Sequence, residues 1–241
     1  MIMKSFESFL TEERLERLNF ETKVKRLNGL VSQMGEGYRK GSERVKRLPV
    51  DSSCRIMMEP FRQVHGEEEV KADIDYVKDR ERKWQEEDHE REQESIGEQF
   101  ELLKTAIFNK YLGERFIVVR SSFYDDYKNG VDNVMVDIQN GNVVCAFDEV
   151  GDDSFFKKLK EEKVSAKNLE EGGSSLKYGI KLKDGHPVAT RLQNLPIFCL
   201  SLSADKIREG IQEMEFSVNK KSSAEDKMFE VFMEELKSQV I

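Results

Sequence analysis

The sequence is poor in the residues that build disulfides and metal centres. Its three cysteines, Cys54, Cys145 and Cys199, lie far apart, and its three histidines are equally scattered. No two cysteines have the C-x-x-C spacing of a zinc site, and the last two lie in apolar runs, where a free cysteine behaves as a small hydrophobe. We therefore expect a reduced, cytoplasmic protein without a structural zinc ion.

Long apolar runs and common nucleotide or hydrolase motifs are also missing. No stretch approaches the roughly 20 apolar residues that cross a bilayer, and the N-terminal MIMKSFE carries charge where a signal peptide would begin its apolar core. The chain contains no G-x-x-x-x-G-K-[ST], G-x-G-x-x-G, G-x-S-x-G or H-E-x-x-H motif. We expect no membrane partner, and these common enzyme classes find little support.

The net charge of −8 is distributed unevenly over the 241 residues. Such a charge works against broad affinity for nucleic acid, which depends on neutralising phosphates. Residues 23–47, however, hold eight basic and two acidic side chains, whereas residues 67–94 hold six basic and thirteen acidic ones. The apolar share of 38% is low, so part of the chain is expected to form solvated helix.

Residues 1–94 are predicted to form a helical extension. Helical spacing of apolar residues covers 5–34, three glycines then break the pattern, 49–60 is a connector, and a long charged helix starts near Gly66. Residues 85–94 contain no apolar side chain, which is typical of a solvated helix or arm, with an acidic binding tail as the alternative. These helices offer a surface for a protein partner, and we expect the remaining chain to fold without them.

Residues 95–215 are predicted to form an α/β core with a mixed central sheet flanked by helices. Their pattern is helix, three strands, helix, hairpin, strand and helix, with residues 124–130 as a loop. Asn140-Gly141 is the strongest hairpin signal and should join the second and third strands antiparallel. An amphipathic helix within residues 216–241 ends the chain.

Acidic residues occur where this topology would bring them together. Asp132 opens the second strand, and Asp148 and Glu149 end the third, so an antiparallel pairing makes Asp132 and Asp148 neighbours. Glu98, on the preceding helix, is placed to supply a third oxygen. Carboxylates held together repel each other unless a cation joins them, and oxygen ligands favour Mg²⁺ or Mn²⁺. The alternative is that these are ordinary acids facing solvent.

The order of these acids resembles the PD-(D/E)XK nuclease superfamily. In that family an acid opens the second strand, an acid and a lysine two residues apart occupy the third, and a glutamate often projects from the first helix. Asp132, Asp148 and Glu98 occupy matching elements, and residues 124–132 and 146–150 also resemble a set of uncharacterised bacterial proteins. The resemblance covers about half of the chain and implies a restriction-endonuclease-like core.

The chain departs from the family pattern at the lysine, because Val150 stands in its place. In some members that lysine has moved to a neighbouring element. Lys177, in the strand after the Gly172-Gly173 turn, is our preferred substitute, and Lys157 and Lys158 are alternatives.

The resemblance implies metal-dependent hydrolysis of phosphodiester bonds in DNA or RNA. Asp132, Asp148, Glu149 and Lys177 would then be catalytic, with the ion held by the two aspartates and Glu98. Arg120, at the end of the first strand, and Lys157 would contact phosphates, although Arg120 could equally pair with Asp125 or Asp126. The alternative is a nuclease-like fold that has lost catalysis and acts as a nucleic-acid- or protein-binding module.

Overall fold

The computed structural model describes residues 3–87, 96–151 and 154–240, and it has the predicted mixed α/β architecture with a helical N-terminal region. The helices are α1 (Met3–Lys40), α2 (Arg62–His65), α3 (Glu67–Glu87), α4 (Ile96–Leu112), α5 (Phe123–Asn129), α6 (Ser154–Glu171), α7 (Ala204–Glu213) and α8 (Ser223–Gln239). The strands are β1 (Phe116–Arg120), β2 (Asn133–Asp137), β3 (Val143–Gly151), β4 (Ser174–Lys183), β5 (His186–Leu195) and β6 (Ile197–Leu202). In these described ranges, no helix has both the length and the apolarity needed to cross a bilayer.

Four strands form the main sheet in the order β1-β2-β3-β6. The first three are antiparallel neighbours, and β6 returns parallel to β3. The Asn140-Gly141 turn joins β2 to β3 as predicted, with Gly141 at a φ of +74° that favours glycine. The hairpin β4–β5 forms a separate two-stranded sheet.

The side chains of β3 alternate between two core layers. Cys145 and Phe147 pack with α1, α4, α7 and α8, and the Phe147 ring lies 5.3 Å from that of Phe108. Ala146 belongs to the opposite layer, which contains Val164 of α6 and much of the β4–β5 hairpin. Because alternate residues of a strand point to opposite faces, successive residues at the end of β3 also face different helices.

Helix α8 covers the open edge of the sheet at β6. The Gln239 side-chain amide donates to the Cys199 carbonyl at 2.7 Å and accepts the Cys199 N–H at 2.8 Å. Glu235 accepts the Ser201 N–H at 3.0 Å. These side chains satisfy backbone groups that an edge strand would otherwise present to another chain, so the C-terminal helix completes the sheet.

The N-terminal half contributes to both core layers. Leu27 and Val31 of α1 are fully buried in the layer that contains α4, and Val50 and Phe61 are fully buried in the other. A core that begins at residue 95 would lose this packing, so the structure disfavours the prediction that it folds alone. The boundary at residue 94 and most of the 85–94 segment lie outside the described residues.

Helix α1 is longer than the sequence predicts. It passes through Gly35 and Gly37 and ends at Lys40, where Gly41 adopts a φ of +77°. Each interior glycine costs about 1 kcal/mol relative to alanine, which tertiary packing outweighs here. Gly35 is required by that packing, because a Cβ there would lie 2.7 Å from the Asp51 carbonyl oxygen.

Residues predicted as a loop form the short helix α5. Ser122 caps it by accepting the Asp125 N–H at 3.1 Å, and Gly130, at a φ of +63°, ends it. The buried Asp125 carboxylate also accepts the backbone N–H groups of Lys177 and Tyr178 at 2.8 and 3.0 Å. This acid therefore ties the β4–β5 hairpin to α5.

Two leucines of α1 test whether this helix belongs to the core. Leu30 is 2% exposed and Leu18 is 52% exposed. We expect Leu30→Ala to lower the free energy of unfolding by about 2–5 kcal/mol, since it leaves a cavity. Leu18→Ala should change it by less than about 0.5 kcal/mol. Urea unfolding measures both, and equal small effects would show that α1 is dispensable for the core.

Candidate active site

Two carboxylates meet where β2 begins and β3 nears its end. The register pairs Asn133 with Phe147, so continuing it by one residue brings Asp132 opposite Asp148. The Asp132 N–H donates to the Phe147 carbonyl at 2.9 Å, and the Asp132 carboxylate accepts the Glu149 N–H at 2.6 Å. The Asp132 side chain is thereby held against the backbone of β3. Both acids lie at the same end of the sheet.

The electrostatic surroundings of Asp132 oppose its ionisation. Burial raises the pKa of this carboxyl group well above its ordinary value, and repulsion from Asp148, Asp126 and Glu101 raises it further, against the attraction of Lys104. A carboxyl group in such a position favours its protonated form until a cation offsets the repulsion. Strong shifts of this kind concentrate at functional sites.

Lys160 of α6 pairs with Asp148 on the face of the sheet that α6 covers. Its Nζ lies 2.7 Å from Asp148 Oδ1, and its side chain remains 29% exposed. Burial works to lower the pKa of Lys160, but the attraction of Asp148 outweighs it and raises the pKa. Two other lysines of this helix were predicted from the sequence, and Lys160 was not among them. The close spacing of the lysines on α6 did not indicate which of them reaches β3.

Glu149 faces the opposite layer and forms an ion pair there with Lys104 of α4. Both side chains are almost completely buried, and the Lys104 ammonium also lies 5.3 Å from the centre of the Phe147 ring. Burial lowers the pKa of Lys104 to about 8, although Asp132 and Glu101 pull it upward. The Glu149 carboxylate is therefore engaged by a lysine, while its backbone N–H orients Asp132.

Glu101, which was not predicted from the sequence, organises the base of the site. It accepts hydrogen bonds from Arg55 at 3.1 Å and from Arg120 at 2.6 and 2.8 Å. Burial works to raise the pKa of Glu101, but the two guanidinium groups outweigh it and lower the pKa. The predicted metal ligand Glu98 lies one turn earlier and is exposed. The sequence signal that could have indicated Glu101 is the three-residue spacing of Glu98, Glu101 and Lys104, which places them on one face of α4.

The Arg120 guanidinium binds Glu101. Its main partner is therefore neither Asp125 nor Asp126, the two partners that its sequence position suggested. The residue is 3% exposed, and burial acts to lower its pKa while Glu101 raises it strongly. Asp126 instead accepts a hydrogen bond from Arg55 at 3.1 Å. Burial raises the pKa of Asp126 to about 6, against the attraction of Arg55. The predicted phosphate contact of Arg120 would require its guanidinium to leave Glu101.

The other predicted basic residues are bound to carboxylates elsewhere. The Lys177 ammonium pairs with Asp73 and with Glu69, the latter at 2.7 Å, both on α3. Lys157 lies 3.3 Å from Glu235 of α8. The lysine that the fold brings to Asp148 is therefore Lys160, and not Lys157 or Lys177.

The donor set at this end of the sheet is small. Among the residues that the structure describes, no three His, Cys, Asp or Glu side chains converge in a group suited to a metal ion. Asp132 and Asp148 form a pair.

Comparison of the chain with protein-family models, curated proteins and solved structures finds no match. The chemistry of these side chains is therefore the basis for a functional proposal.

The raised pKa of Asp132 predicts the effect of removing its charge. A carboxyl group whose pKa is raised by folding stabilises the protein fully below its unfolded pKa of about 3.9, and this stabilisation is lost as the pH rises through the folded pKa. Asp132→Asn should therefore be more stable than the wild type near about pH 7, and the difference should vanish toward about pH 4.

Urea unfolding in chelator across this pH range measures that difference. Asp205→Asn, at an exposed position on α7 where it pairs with Arg208, is the control and should not raise the stability at neutral pH, since it loses an exposed pair that contributes less than about 1 kcal/mol. A lower stability of Asp132→Asn at neutral pH would contradict the repulsion described here.

The second stability test concerns Glu101. Glu101→Gln leaves two buried arginines without their shared carboxylate, so we expect a loss of about 3–5 kcal/mol. The exposed Glu98→Gln on the same helix should cost less than about 0.5 kcal/mol. The pKa of Glu101 is lowered by folding, so its stabilisation is present above its unfolded pKa and is lost as the pH falls through the folded one. Denaturant unfolding near neutral pH distinguishes the two variants.

Proposed function

We propose that this protein is a metal-dependent nuclease that hydrolyses phosphodiester bonds in DNA or RNA. The observation that carries the proposal is the pair Asp132 and Asp148 at one end of the two central strands, with Asp132 held in a position that disfavours its own charge. Asp132 is fixed by a backbone hydrogen bond and Asp148 by its ion pair with Lys160. Two carboxylates that repel each other in fixed positions gain stability when a further cation joins them. The resemblance of the same residues to the PD-(D/E)XK pattern supports this chemistry.

The residues present fit Mg²⁺ or Mn²⁺. Magnesium keeps several waters and is commonly bound by one or two protein carboxylates together with substrate phosphates, so a pair of aspartates suffices. When bound, the ion would polarise the scissile phosphate and lower the pKa of a coordinated water. Asp132 is half-buried and Asp148 is buried, so a phosphate would reach the pair from the side of Asp132.

Lys160 is the best candidate for the missing lysine of the pattern. It reaches Asp148 from α6, whereas Val150 occupies the usual position on β3. Its ammonium keeps its charge because of Asp148 and is partly exposed, as a group must be to contact a phosphate oxygen. A lysine so placed would orient the attacking water or offset charge that develops on the phosphate.

The buried charged side chains behind Asp132 and Asp148 would act by holding these two carboxylates in position. Glu149 donates its N–H to the Asp132 carboxylate and is itself fixed by Lys104. Glu101 and its two arginines fix α4 against β1. Small errors in the position of reacting groups are costly in rate, so this support matters for catalysis.

A catalytically inactive binding module is the second candidate. The observation that favours it is Val150, an apolar residue that lies beside Ser201 of β6 where the motif expects a lysine. On this account the acids would be a remnant, and binding would remain without hydrolysis.

Cleavage assays distinguish the two candidates. Purified protein should cleave single- or double-stranded DNA or RNA with Mg²⁺ or Mn²⁺, and Asp148→Asn should abolish the cleavage. Lys160→Gln should lower kcat by about 100-fold or more, as removal of a preorganised charge-stabilising group does. Lys163→Gln, an exposed lysine of the same helix, should have no effect.

Thermal unfolding supplies an independent readout. The metal should raise the Tm of the wild type and not that of Asp148→Asn, because only a site that binds in the folded state stabilises it. Absence of both cleavage and metal-dependent stabilisation would leave the binding module as the better account.

A further inference from the structure

We infer that a basic pocket far from the two aspartates binds the phosphate backbone of a nucleic acid. The basic pocket is lined by Lys40, Gly41, Ser42, Lys46, Arg47, His186 and Pro187 and has a volume of about 570 Å³. The inference rests on the proposed function only for the choice of nucleic acid as the source of the phosphates. The charge and the architecture of the pocket point to a phosphate in any case.

The walls of the pocket are built by defined backbone contacts. Helix α1 ends at Lys40, and the N–H of the following Gly41 donates to the Gly37 carbonyl at 2.9 Å. The following loop is closed by the Ser42 N–H, which donates to the Val45 carbonyl at 2.6 Å. The Lys46 N–H then donates to the carbonyl of Gly185, in the β4–β5 turn, at 2.7 Å. The loop and the hairpin tip are thereby held together with their basic side chains on the surface.

The charge of the pocket has one sign. Lys40, Lys46 and Arg47 are exposed cations, His186 adds a fourth basic side chain, and no carboxylate of the described residues lines the pocket. Lys40 pairs with Glu36 at 3.5 Å, but both side chains are more than half exposed, and such pairs contribute less than about 1 kcal/mol. A phosphate could therefore compete for these ammonium groups.

The basic pocket explains part of the uneven charge of the sequence. The segment 39–47 carries five basic side chains and one acidic one, and three of the basic ones, Lys40, Lys46 and Arg47, line the basic pocket. A local basic surface attracts polyanions even when the net charge of the protein is negative, since the field is screened over roughly 10 Å at ordinary ionic strength.

The basic pocket and the two aspartates lie at opposite ends of the sheet. Leu182, near the β4–β5 turn, donates its N–H to the carbonyl of Gly141 in the β2–β3 turn at 2.7 Å. Asp132 and Asp148 lie at the other end of β2 and β3, and five residues of extended strand span about 17 Å. Along one strand of a duplex this corresponds to about five base pairs, so a polynucleotide is long enough to reach from one end to the other.

Nucleic acid fits the pocket better than a membrane surface does. Membrane-surface binding combines cations with an apolar face that enters the lipid, whereas Pro187 is the apolar residue among those that line this pocket. Phosphodiester groups of a polynucleotide require only the cations, with sequence-independent contacts. Anionic lipid and free phosphate are therefore the alternatives that the experiment must exclude.

The test is the binding of short fluorescent oligonucleotides, single-stranded and duplex, measured by anisotropy in chelator at several salt concentrations. Wild type should bind, and Arg47→Gln and Lys46→Gln should each weaken binding several-fold. Each should also reduce the slope of log K against log salt by about 0.7–0.9, the contribution of one phosphate contact. Arg208→Gln, which replaces an exposed arginine on α7, is the matched control and should leave the affinity and the salt slope unchanged.

Several results would overturn the inference. These are no binding by the wild type at low salt, or equal losses in Arg47→Gln and Arg208→Gln. Capture by phosphatidylserine vesicles without oligonucleotide binding would assign the pocket to lipid instead, and saturation by inorganic phosphate without oligonucleotide binding would assign it to a free anion. Because chelator prevents cleavage, failure here is distinguishable from failure of the nuclease proposal, which Asp148→Asn and the metal-dependent Tm test separately.

Discussion

The carboxylate of Glu101 is the interaction on which this end of the molecule depends. It binds Arg55, from the loop after α1, and Arg120, from the end of β1, so one buried anion joins the N-terminal half, the helix α4 and the sheet. Burying a charge is costly unless it is paired and hydrogen-bonded. The three residues must therefore stay together, and this requirement holds the end of β1 against α4 and against the loop after α1.

The buried charged side chains shape the electrostatic field around the three acids at this end of the sheet, Asp132, Asp148 and Glu149. Asp148 and Glu149 are adjacent in sequence, yet they face different layers and meet different lysines, Lys160 and Lys104. Asp132 lies at the junction and has the least favourable environment for its charge. On the proposed function, this poorly compensated carboxyl group and its well-paired neighbour would bind the divalent cation and its phosphate ligand.

Most of the architecture could be predicted from local pattern. The Asn140-Gly141 hairpin, the buried β-branched strands and the apolar face of α4 follow from periods of two and 3.6 residues and from turn chemistry, which are local properties. The helix α5 was missed because its capping Ser122 and its terminal Gly130 look the same as residues of a polar loop. The independence of the core was also predicted, and the burial of Leu27 and Val31 argues against it.

The sequence by itself determined the order of the strands and of the longer helices, the antiparallel pairing of β2 with β3 and hence the approach of Asp132 to Asp148. Only the tertiary structure decided which charged side chain meets which carboxylate. The sequence favoured Lys177 and did not indicate Lys160, but packing of α6 on the sheet brings Lys160 to Asp148, while α3 supplies Asp73 to Lys177. Long side chains reach partners on elements distant in sequence, and no local period encodes that choice.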